Sequence, residues 1–149
     1  MDILFVCTGN TCRSPMAEYF ARQYIENNNL KDFNVASAGI NAATGQSASQ
    51  EAIKVMKEKG IDISDHKSKS LMEEDLQEND KVLTMTNSHK EVIQDMYDYE
   101  NVYTLKHFVK RCEDRDILDP YGFEVDKYRE TRDEIEDAVK KLLAKMSKE

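Results

Sequence analysis

Short apolar runs alternate with amphipathic stretches along most of the chain. Four runs contain no charged residue and predict strands, at residues 3–6, 33–38, 82–85 and 102–105. Elsewhere apolar residues recur every three or four positions and predict helices, from Pro15 to the asparagines at 27–29 and over residues 49–59, 72–77, 88–97 and 124–148. Strands that alternate with helices form parallel sheets through right-handed crossovers. We therefore predict an α/β fold, a single domain over residues 1–149 with a doubly wound four-stranded parallel sheet and helices on both faces.

The first predicted strand ends at a polar turn, residues 7–14, with the sequence Cys-Thr-Gly-Asn-Thr-Cys-Arg-Ser. Ligands of doubly wound folds bind at the carboxyl ends of the strands, where this turn lies. Pro15 suits the first position of a helix, and Ser14 suits the N-cap before it. The turn therefore leads from a buried strand to a helix N-terminus, whose unpaired N–H groups attract anions.

The residue types of this turn fit the capture of a tetrahedral phosphate. Gly9 permits a positive φ and a close approach of the backbone, and Asn10 also tolerates the left-handed region. Arg13 presents a planar pair of donors that matches two phosphate oxygens. Helix N-termini and arginine stabilise thiolates, so we expect Cys7 to be ionised near neutral pH and to act as a nucleophile. A cysteine that ends a buried strand is more often a small core residue, so the hypothesis rests on the whole set.

Charge, hydropathy and cysteine content restrict the partners, the compartment and the cofactors that we expect. The 21 basic and 29 acidic residues give a formal net charge of −8, so we expect no nucleic-acid partner. No apolar run approaches the roughly 20 residues that cross a bilayer, and the short start with an acid at position 2 is not typical of a signal peptide, so we expect no membrane contact. An odd number of cysteines, 3, argues against a secreted disulfide scaffold and favours the cytoplasm. No Cys or His spacing suggests a metal site, and we predict no cofactor.

Residues 6–18, Val-Cys-Thr-Gly-Asn-Thr-Cys-Arg-Ser-Pro-Met-Ala-Glu, resemble the phosphate loop of the low-molecular-weight protein tyrosine phosphatases. The resemblance continues at Ser-Ala-Gly (37–39), at Gly-Ile (60–61), at His-Lys (66–67) and at Asp-Pro-Tyr-Gly (119–122), and it covers nearly the whole chain. It implies an enzyme that hydrolyses phosphorylated protein side chains through a phosphocysteine intermediate. We expect phosphorylated proteins as its partners and a monomeric state.

The resemblance also implies a role for each side chain of the site. Cys7 would attack phosphorus, Arg13 and the loop amides would hold the equatorial oxygens, and Asp119 would protonate the leaving group and then activate water. Ser14 would hydrogen-bond the Cys7 sulfur and help it leave. The residues expected to contact the substrate are Thr8, Gly9, Asn10, Thr11, Cys12, Ser14 and Tyr121. The residues expected to hold the loop in shape are Asn10, Ser14, Ser37 and His66. His89 and His107 have no partner motif, and we interpret them as structural.

The residue at position 11 bears on the substrate. Tyrosine-specific members of the family usually carry a large aliphatic residue there, whereas Thr11 resembles the subgroup that acts on phosphoarginine. A short, hydroxyl-bearing side chain suits a branched, polar phosphoguanidine better than a flat aryl ester. Residues 41–49 contain no aromatic side chain, which leaves Tyr121 to cover a flat group or a guanidinium. We therefore predict phosphoarginine as the substrate, with phosphotyrosine as the alternative.

Three further hypotheses concern the cysteines. Arsenate reductases share the fold and the turn but relay a disulfide through two further cysteines, for which Cys112 is the only candidate here. A second alternative to the phosphatase is a module that binds phosphopeptides without hydrolysing them. The presence of Cys7, Arg13 and Asp119 together argues against it, because binding alone requires neither a nucleophile nor an acid. In line with the family, Cys12 would condense with oxidised Cys7 in a reversible disulfide that protects it from overoxidation. The alternative for Cys12 is a small buried core residue.

Overall fold

The computed structural model describes residues 1–108 and 116–148. The strands are β1 (Asp2–Cys7), β2 (Asn34–Gly39), β3 (Lys81–Thr84) and β4 (Val102–Thr104). The helices are α1 (Arg13–Asn27), α2 (Gln50–Lys57), α3 (Glu73–Glu78), α4 (Asn87–Tyr97) and α5 (Val125–Met146), and a short 3₁₀ helix covers Leu105–Phe108. The strands form one parallel sheet in the order β2-β1-β3-β4. The predicted α/β fold with a four-stranded parallel sheet is confirmed.

Successive residues of β1 point to opposite faces of the sheet, and both faces are covered. Ile3 and Phe5 belong to the larger core, which they share with apolar residues of α1, α2 and α5. Leu4 and Val6 belong to the smaller core, where Leu76 of α3 and other apolar residues of α4 and the sheet pack against them. The predicted arrangement of helices on both faces is therefore present.

The strand order places the ends of three strands side by side. β1 lies between β2 and β3, so Cys7 pairs in register with Gly39, and Val6 pairs with Thr84. The chain crosses to one side of β1 before β2 and to the other side before β3, which opens a crevice at the carboxyl ends of the strands. The loops that follow β1, β2 and β3 therefore meet around Cys7.

The start of α1 differs from the prediction. The helix begins at Arg13, the N-cap is Cys12, and no side chain caps it, so the prediction of Ser14 as N-cap is wrong. The Ser14 hydroxyl is engaged by Cys7 and Asn10 instead. Pro15 occupies the third helical position, where a missing N–H still costs nothing. The other helices and strands differ from their predicted bounds by one or two residues.

No helix within residues 1–108 and 116–148 is long and apolar enough to cross a membrane. The charged stretch at residues 111–119, which has the composition of a loop, lies partly outside the described residues. Cys112, the candidate relay cysteine of the arsenate-reductase hypothesis, lies outside them altogether.

Candidate active site

The sulfur of Cys7 lies at the base of the loop that joins β1 to α1. Cys7 is buried, and its Sγ is 2.9 Å from Ser14 Oγ. The backbone N–H of Asn10 donates to the same sulfur at 3.3 Å. Since α1 begins at Arg13, its first N–H groups have no partner within the helix and lie on the loop. The sulfur thus lies beside hydrogen-bond donors near a helix N-terminus, an arrangement that suits an incoming phosphate.

Asn10 holds this loop from inside. Its Nδ2 donates to Ser14 Oγ at 2.8 Å and to Ser37 Oγ at 2.9 Å, while its Oδ1 accepts from the Lys69 N–H at 2.9 Å. The backbone carbonyl of Asn10 accepts from His66 Nε2 at 2.8 Å. Asn10 is fully buried, so these bonds operate in a low dielectric. The structure thus brings Asn10, Ser14, Ser37 and His66 together.

Asn10 is also the residue of the loop with a left-handed backbone, at φ 57°. Gly9 does not use the positive φ that a glycine permits, because it is not among the residues with positive φ in the described part of the chain. A methyl group at Gly9 would meet its nearest atom, Thr11 Oγ1, at an ordinary 3.7 Å. The loop therefore turns at Asn10, whose side-chain bonds offset the strain.

The glycine that the loop requires is Gly39, at the end of β2. A Cβ there would lie 2.6 Å from the Thr8 carbonyl oxygen and 2.9 Å from the Asn10 nitrogen. The chain after Gly39 then bonds the loop directly, because Ile40 N–H donates to the Cys7 carbonyl at 2.9 Å. Close backbone contact between β2 and the loop is possible only without a side chain at position 39.

Glu18 extends the network and was missed by the sequence analysis. The Ser37 hydroxyl donates to Glu18 Oε1 at 2.6 Å, and Arg22 forms an ion pair with the other carboxylate oxygen. Glu18 is buried on a turn of α1 otherwise occupied by small and apolar residues. That position, one helical turn after Ser14 on the same face, is the sequence signal that identifies it.

Arg13 reaches back along the loop toward Asp119. Its guanidinium is buried, and Nη1 donates to the Ile117 carbonyl at 2.9 Å. Nη2 donates to Thr8 Oγ1 at 3.4 Å and lies 3.8 Å from Asp119 Oδ2. The residues around position 118 thereby come over the loop from a distant part of the sequence. The guanidinium connects the loop of residues 7–14 with Asp119, the predicted acid.

Asp119 and Tyr121 stand at the mouth of the site. The side chain of Asp119 is half-exposed, and its Oδ1 accepts from the Tyr121 N–H at 3.0 Å. Tyr121 itself is largely exposed. The pocket between this segment and the loop has a volume of about 200 Å³, which suits the head of a side chain better than a large ligand. It is lined by Cys7, Thr8, Gly9, Thr11, Cys12, Arg13, Asp119 and Tyr121.

Cys12 lines the pocket, and its thiol contacts two residues to which the sequence analysis gave no role in the site. Its thiol donates to Ser49 Oγ at 3.3 Å, and the Tyr128 hydroxyl is 3.8 Å away. Burial raises the pKa of Cys12 above its ordinary value, so this thiol stays protonated at neutral pH. Ser49 is also the N-cap of α2, where it accepts from the Ala52 N–H. Cys12 and Cys7 thus differ sharply in their surroundings although both are free thiols.

His89 lies at the site, against the expectation that it is only structural. Its Nε2 is 2.8 Å from Thr8 Oγ1, and the ring is buried at the start of α4. Burial, assisted by the positive charge of Arg13, lowers the pKa of His89 to about 4. His107 instead stacks on Tyr103 of β4. The adjacency of β3 and β1 brings His89 to the loop.

Within residues 1–108 and 116–148, no three His, Cys, Asp or Glu side chains lie close enough together to hold a metal ion. The site instead combines a buried sulfur, a fixed guanidinium, loop amides and a carboxylate at the mouth. These are the parts that phosphoryl transfer to a sulfur nucleophile requires.

The model of the family described as low molecular weight phosphotyrosine protein phosphatase matches residues 2–149. The chain belongs to this family. The resemblance drawn from the loop sequence is confirmed, and the chain is a cysteine-dependent protein phosphatase.

Three relatives of this phosphatase illustrate the range of the family. The protein-arginine-phosphatase of Bacillus subtilis (strain 168) is 41% identical, with 100% of this chain and 99% of the relative covered. The solved YwlE arginine phosphatase mutant with a phosphorylated active-site serine has a TM-score of 0.94 at 40% identity, with 100% of this chain and 97% of that chain covered. The solved low molecular weight protein tyrosine phosphatase of T. tengcongensis has a TM-score of 0.91 at 45% identity, with 97% and 99% covered.

Proposed function

We propose that the chain hydrolyses phosphoarginine in proteins, with Cys7 as the nucleophile. The observation that carries this proposal is that Cys7, Arg13 and Asp119 line one small pocket, although they come from distant parts of the sequence. A related arginine phosphatase is known with a phosphorylated serine in its active site, which supports a covalent intermediate at Cys7 here.

The reaction proceeds in two steps. The Cys7 thiolate attacks phosphorus while Arg13 and the loop amides hold the three equatorial oxygens. Asp119 gives its proton to the leaving group as the bond to phosphorus breaks. The Asp119 carboxylate then takes a proton from water, which attacks the phosphocysteine and releases inorganic phosphate. The 2.9 Å contact from Ser14 Oγ to the sulfur supports the departure of Cys7 as an anion.

The choice of phosphoarginine depends on Thr11. Its half-buried side chain lines the pocket next to the loop glycine, with Oγ1 3.9 Å from Cys12 Sγ. A hydroxyl at this wall accommodates the polar, branched guanidinium, whereas a large aliphatic side chain would favour a flat ring. Asp119 lies at the mouth, where its protonated carboxyl group delivers a proton to the leaving nitrogen as the P–N bond breaks. The name of the Bacillus subtilis relative points the same way.

Phosphotyrosine is the second candidate. Tyr121 is exposed at the mouth and can stack on an aryl ring, and the T. tengcongensis relative is named a tyrosine phosphatase. Turnover of phosphoarginine and phosphotyrosine peptides, measured side by side with Cys7→Ser as the blank, decides between the two. A higher kcat/KM for phosphotyrosine would refute the phosphoarginine proposal and leave the phosphatase chemistry intact.

Substitution of Thr11 tests the reason for the choice. We expect Thr11→Ile to lower phosphoarginine turnover and to raise aryl phosphate turnover. Thr11→Val is the matched control, because it keeps the shape of threonine and removes only the hydroxyl. If both rates of Thr11→Ile stay within twofold of the parent, the argument from threonine is wrong.

Cys12 has a protective role in this proposal. Peroxide oxidises the Cys7 thiolate to a sulfenic acid, and the Cys12 thiol then displaces water from it to form a disulfide. The two cysteines lie on one short loop and line the same pocket, which supports this pairing. A thiol reductant returns both cysteines to the starting state. We further propose a cytoplasmic monomer that acts on phosphorylated proteins, in keeping with the free thiols of Cys7 and Cys12.

A further inference from the structure

Thr8 links the anion-binding arginine to a buried histidine. Thr8 follows the nucleophile directly, and its side chain lines the pocket. Its Oγ1 lies 3.4 Å from Arg13 Nη2 and 2.8 Å from His89 Nε2. The hydroxyl thus connects α4 with the guanidinium through two hydrogen bonds.

The direction of these bonds follows from the groups themselves. A guanidinium only donates, so Thr8 Oγ1 accepts from Arg13. The Thr8 proton is then free to point at His89 Nε2, which accepts it if the ring is neutral and carries its proton on Nδ1. The low pKa of His89, about 4, keeps the ring neutral at physiological pH. The positive charge of Arg13 also favours a lone pair, rather than an N–H, on the side of the ring that faces it.

The other ring nitrogen supports a role beyond packing. His89 Nδ1 is buried and has no hydrogen-bond partner within the described part of the chain. A buried polar atom without a partner destabilises the fold, and such atoms in native proteins often have a functional reason. An apolar side chain at position 89 would remove this cost but also the contact with Thr8.

We propose that His89 is a positioning residue that fixes the guanidinium of Arg13 through Thr8. The Ile117 carbonyl accepts from Nη1 of the Arg13 guanidinium, and the Thr8 hydroxyl accepts from Nη2. Two anchors define the plane of the guanidinium before the phosphoryl group arrives, so that no reorganisation is needed when charge develops on its oxygens. This inference rests on the proposed function only in assigning Arg13 to the phosphate.

A double-mutant cycle between Thr8 and His89 tests the link. The variants are Thr8→Val, His89→Leu and their combination, with Thr8→Ser and His89→Gln as conservative replacements that keep the hydrogen bond. Thr104→Val is the control, because it is the same change at a buried threonine of β4 whose Oγ1 has no partner among the described residues. The measurements are kcat/KM for para-nitrophenyl phosphate, binding of inorganic phosphate by calorimetry, and thermal unfolding.

We expect His89→Leu, which removes one neutral hydrogen bond, to lower kcat/KM and to weaken phosphate binding roughly 3- to 10-fold. Thr8→Val also removes the contact with Arg13, so its loss should be at least as large. The combined variant should lose no more than Thr8→Val alone, because His89 acts on Arg13 only through the Thr8 hydroxyl. Thr8→Ser and His89→Gln should recover most of the loss, and Thr104→Val should behave as the parent.

Two results would overturn the inference. One is a combined loss equal to the product of the single losses. The other is a His89→Gln variant as impaired as His89→Leu, since packing alone would then explain the effect. If His89→Leu does not fold, the comparison of Thr8→Val with Thr8→Ser still tests the link, because only Thr8→Val removes the hydroxyl, and equal losses in these two variants would count against it. Absence of turnover in the parent would count against the proposed function, whereas the phosphate-binding cycle would still test the positioning of Arg13.

Discussion

Replacement of Asn10 by alanine should damage stability and catalysis together. The side chain of Asn10 makes three hydrogen bonds of 2.8 to 2.9 Å in a fully buried position, to Ser14, to Ser37 and to the Lys69 backbone. Its backbone has φ 57°, which alanine adopts only with strain. The substitution removes the bonds and keeps the strained backbone.

The magnitude follows from these contacts. Three hydrogen bonds at about 1 kcal/mol each contribute about 3 kcal/mol, and the left-handed alanine adds about 1 kcal/mol. We therefore expect Asn10→Ala to lower the free energy of unfolding by about 4 kcal/mol. Asn10→Gly loses the same bonds without the strain, so it should be about 1 kcal/mol more stable than Asn10→Ala. The effect on kcat should be about 10- to 100-fold, because Ser14 loses the donor that orients it toward the Cys7 sulfur.

Urea unfolding followed by circular dichroism gives the free energies, and para-nitrophenyl phosphate turnover gives kcat. Iodoacetate labelling reports on the Cys7 sulfur itself, which should react more slowly once its donors are displaced. If Asn10→Ala unfolds within about 1 kcal/mol of the parent and turns over at the parental rate, the hydrogen bonds of Asn10 do not hold the loop. An equal stability of the alanine and glycine variants would refute the argument from backbone strain.

Three other predictions concern separate parts of the molecule. Gly39→Ala should destabilise the fold by about 1–3 kcal/mol in urea unfolding, because its Cβ would overlap the loop backbone. Gly9→Ala is the control and should leave the stability nearly unchanged, so equal losses of unfolding free energy in the two variants would contradict this prediction. Hydrogen bonds from Arg129 hold the pKa of Glu58 at about 2. The Glu58–Arg129 ion pair therefore stabilises the fold above the unfolded-state pKa of about 4.3, and this contribution is lost as the pH falls toward 2. The free energy of unfolding of the parent should therefore fall more steeply than that of Glu58→Gln between about pH 5 and pH 2. If the two plots of unfolding free energy against pH are parallel, the ion pair does not stabilise the fold. After peroxide and then dithiothreitol, Cys12→Ser should recover less activity than the parent, and equal recovery would exclude protection.

The sheet and the nucleophile loop could be predicted from the sequence because their signals are local. An uncharged apolar run followed by a polar turn and a helix identifies β1, the loop and α1 without knowledge of the rest of the chain. The alternation of strands and helices then fixes the parallel sheet. Cys7, Arg13 and Asn10 lie within this one segment, so their proximity needed no tertiary information.

The residues that the sequence analysis misjudged depend on tertiary contacts. The glycine that matters is Gly39 rather than Gly9, because the closest approach occurs between β2 and the loop. Ser14 is not an N-cap because Cys7 and Asn10, brought together by the turn, compete for its hydroxyl. His89 reaches Thr8 only because β3 pairs with β1. The order of strands in the sheet cannot be predicted from a local sequence pattern, so this contact could not be predicted either.

The polar residues behind the loop should couple the stability of the fold to catalysis. Asn10, Ser14, Ser37 and Glu18 are all buried, in a region of the core that apolar side chains would otherwise fill. Their burial is tolerated because hydrogen bonds connect each one to the next, from the loop to α1 and β2. Removing one member leaves its neighbours buried without partners, which destabilises the fold, and also releases the donors that face the Cys7 sulfur. A loop held in this way reaches the transition state without rearranging, and its rigidity therefore depends on the same bonds as the fold itself.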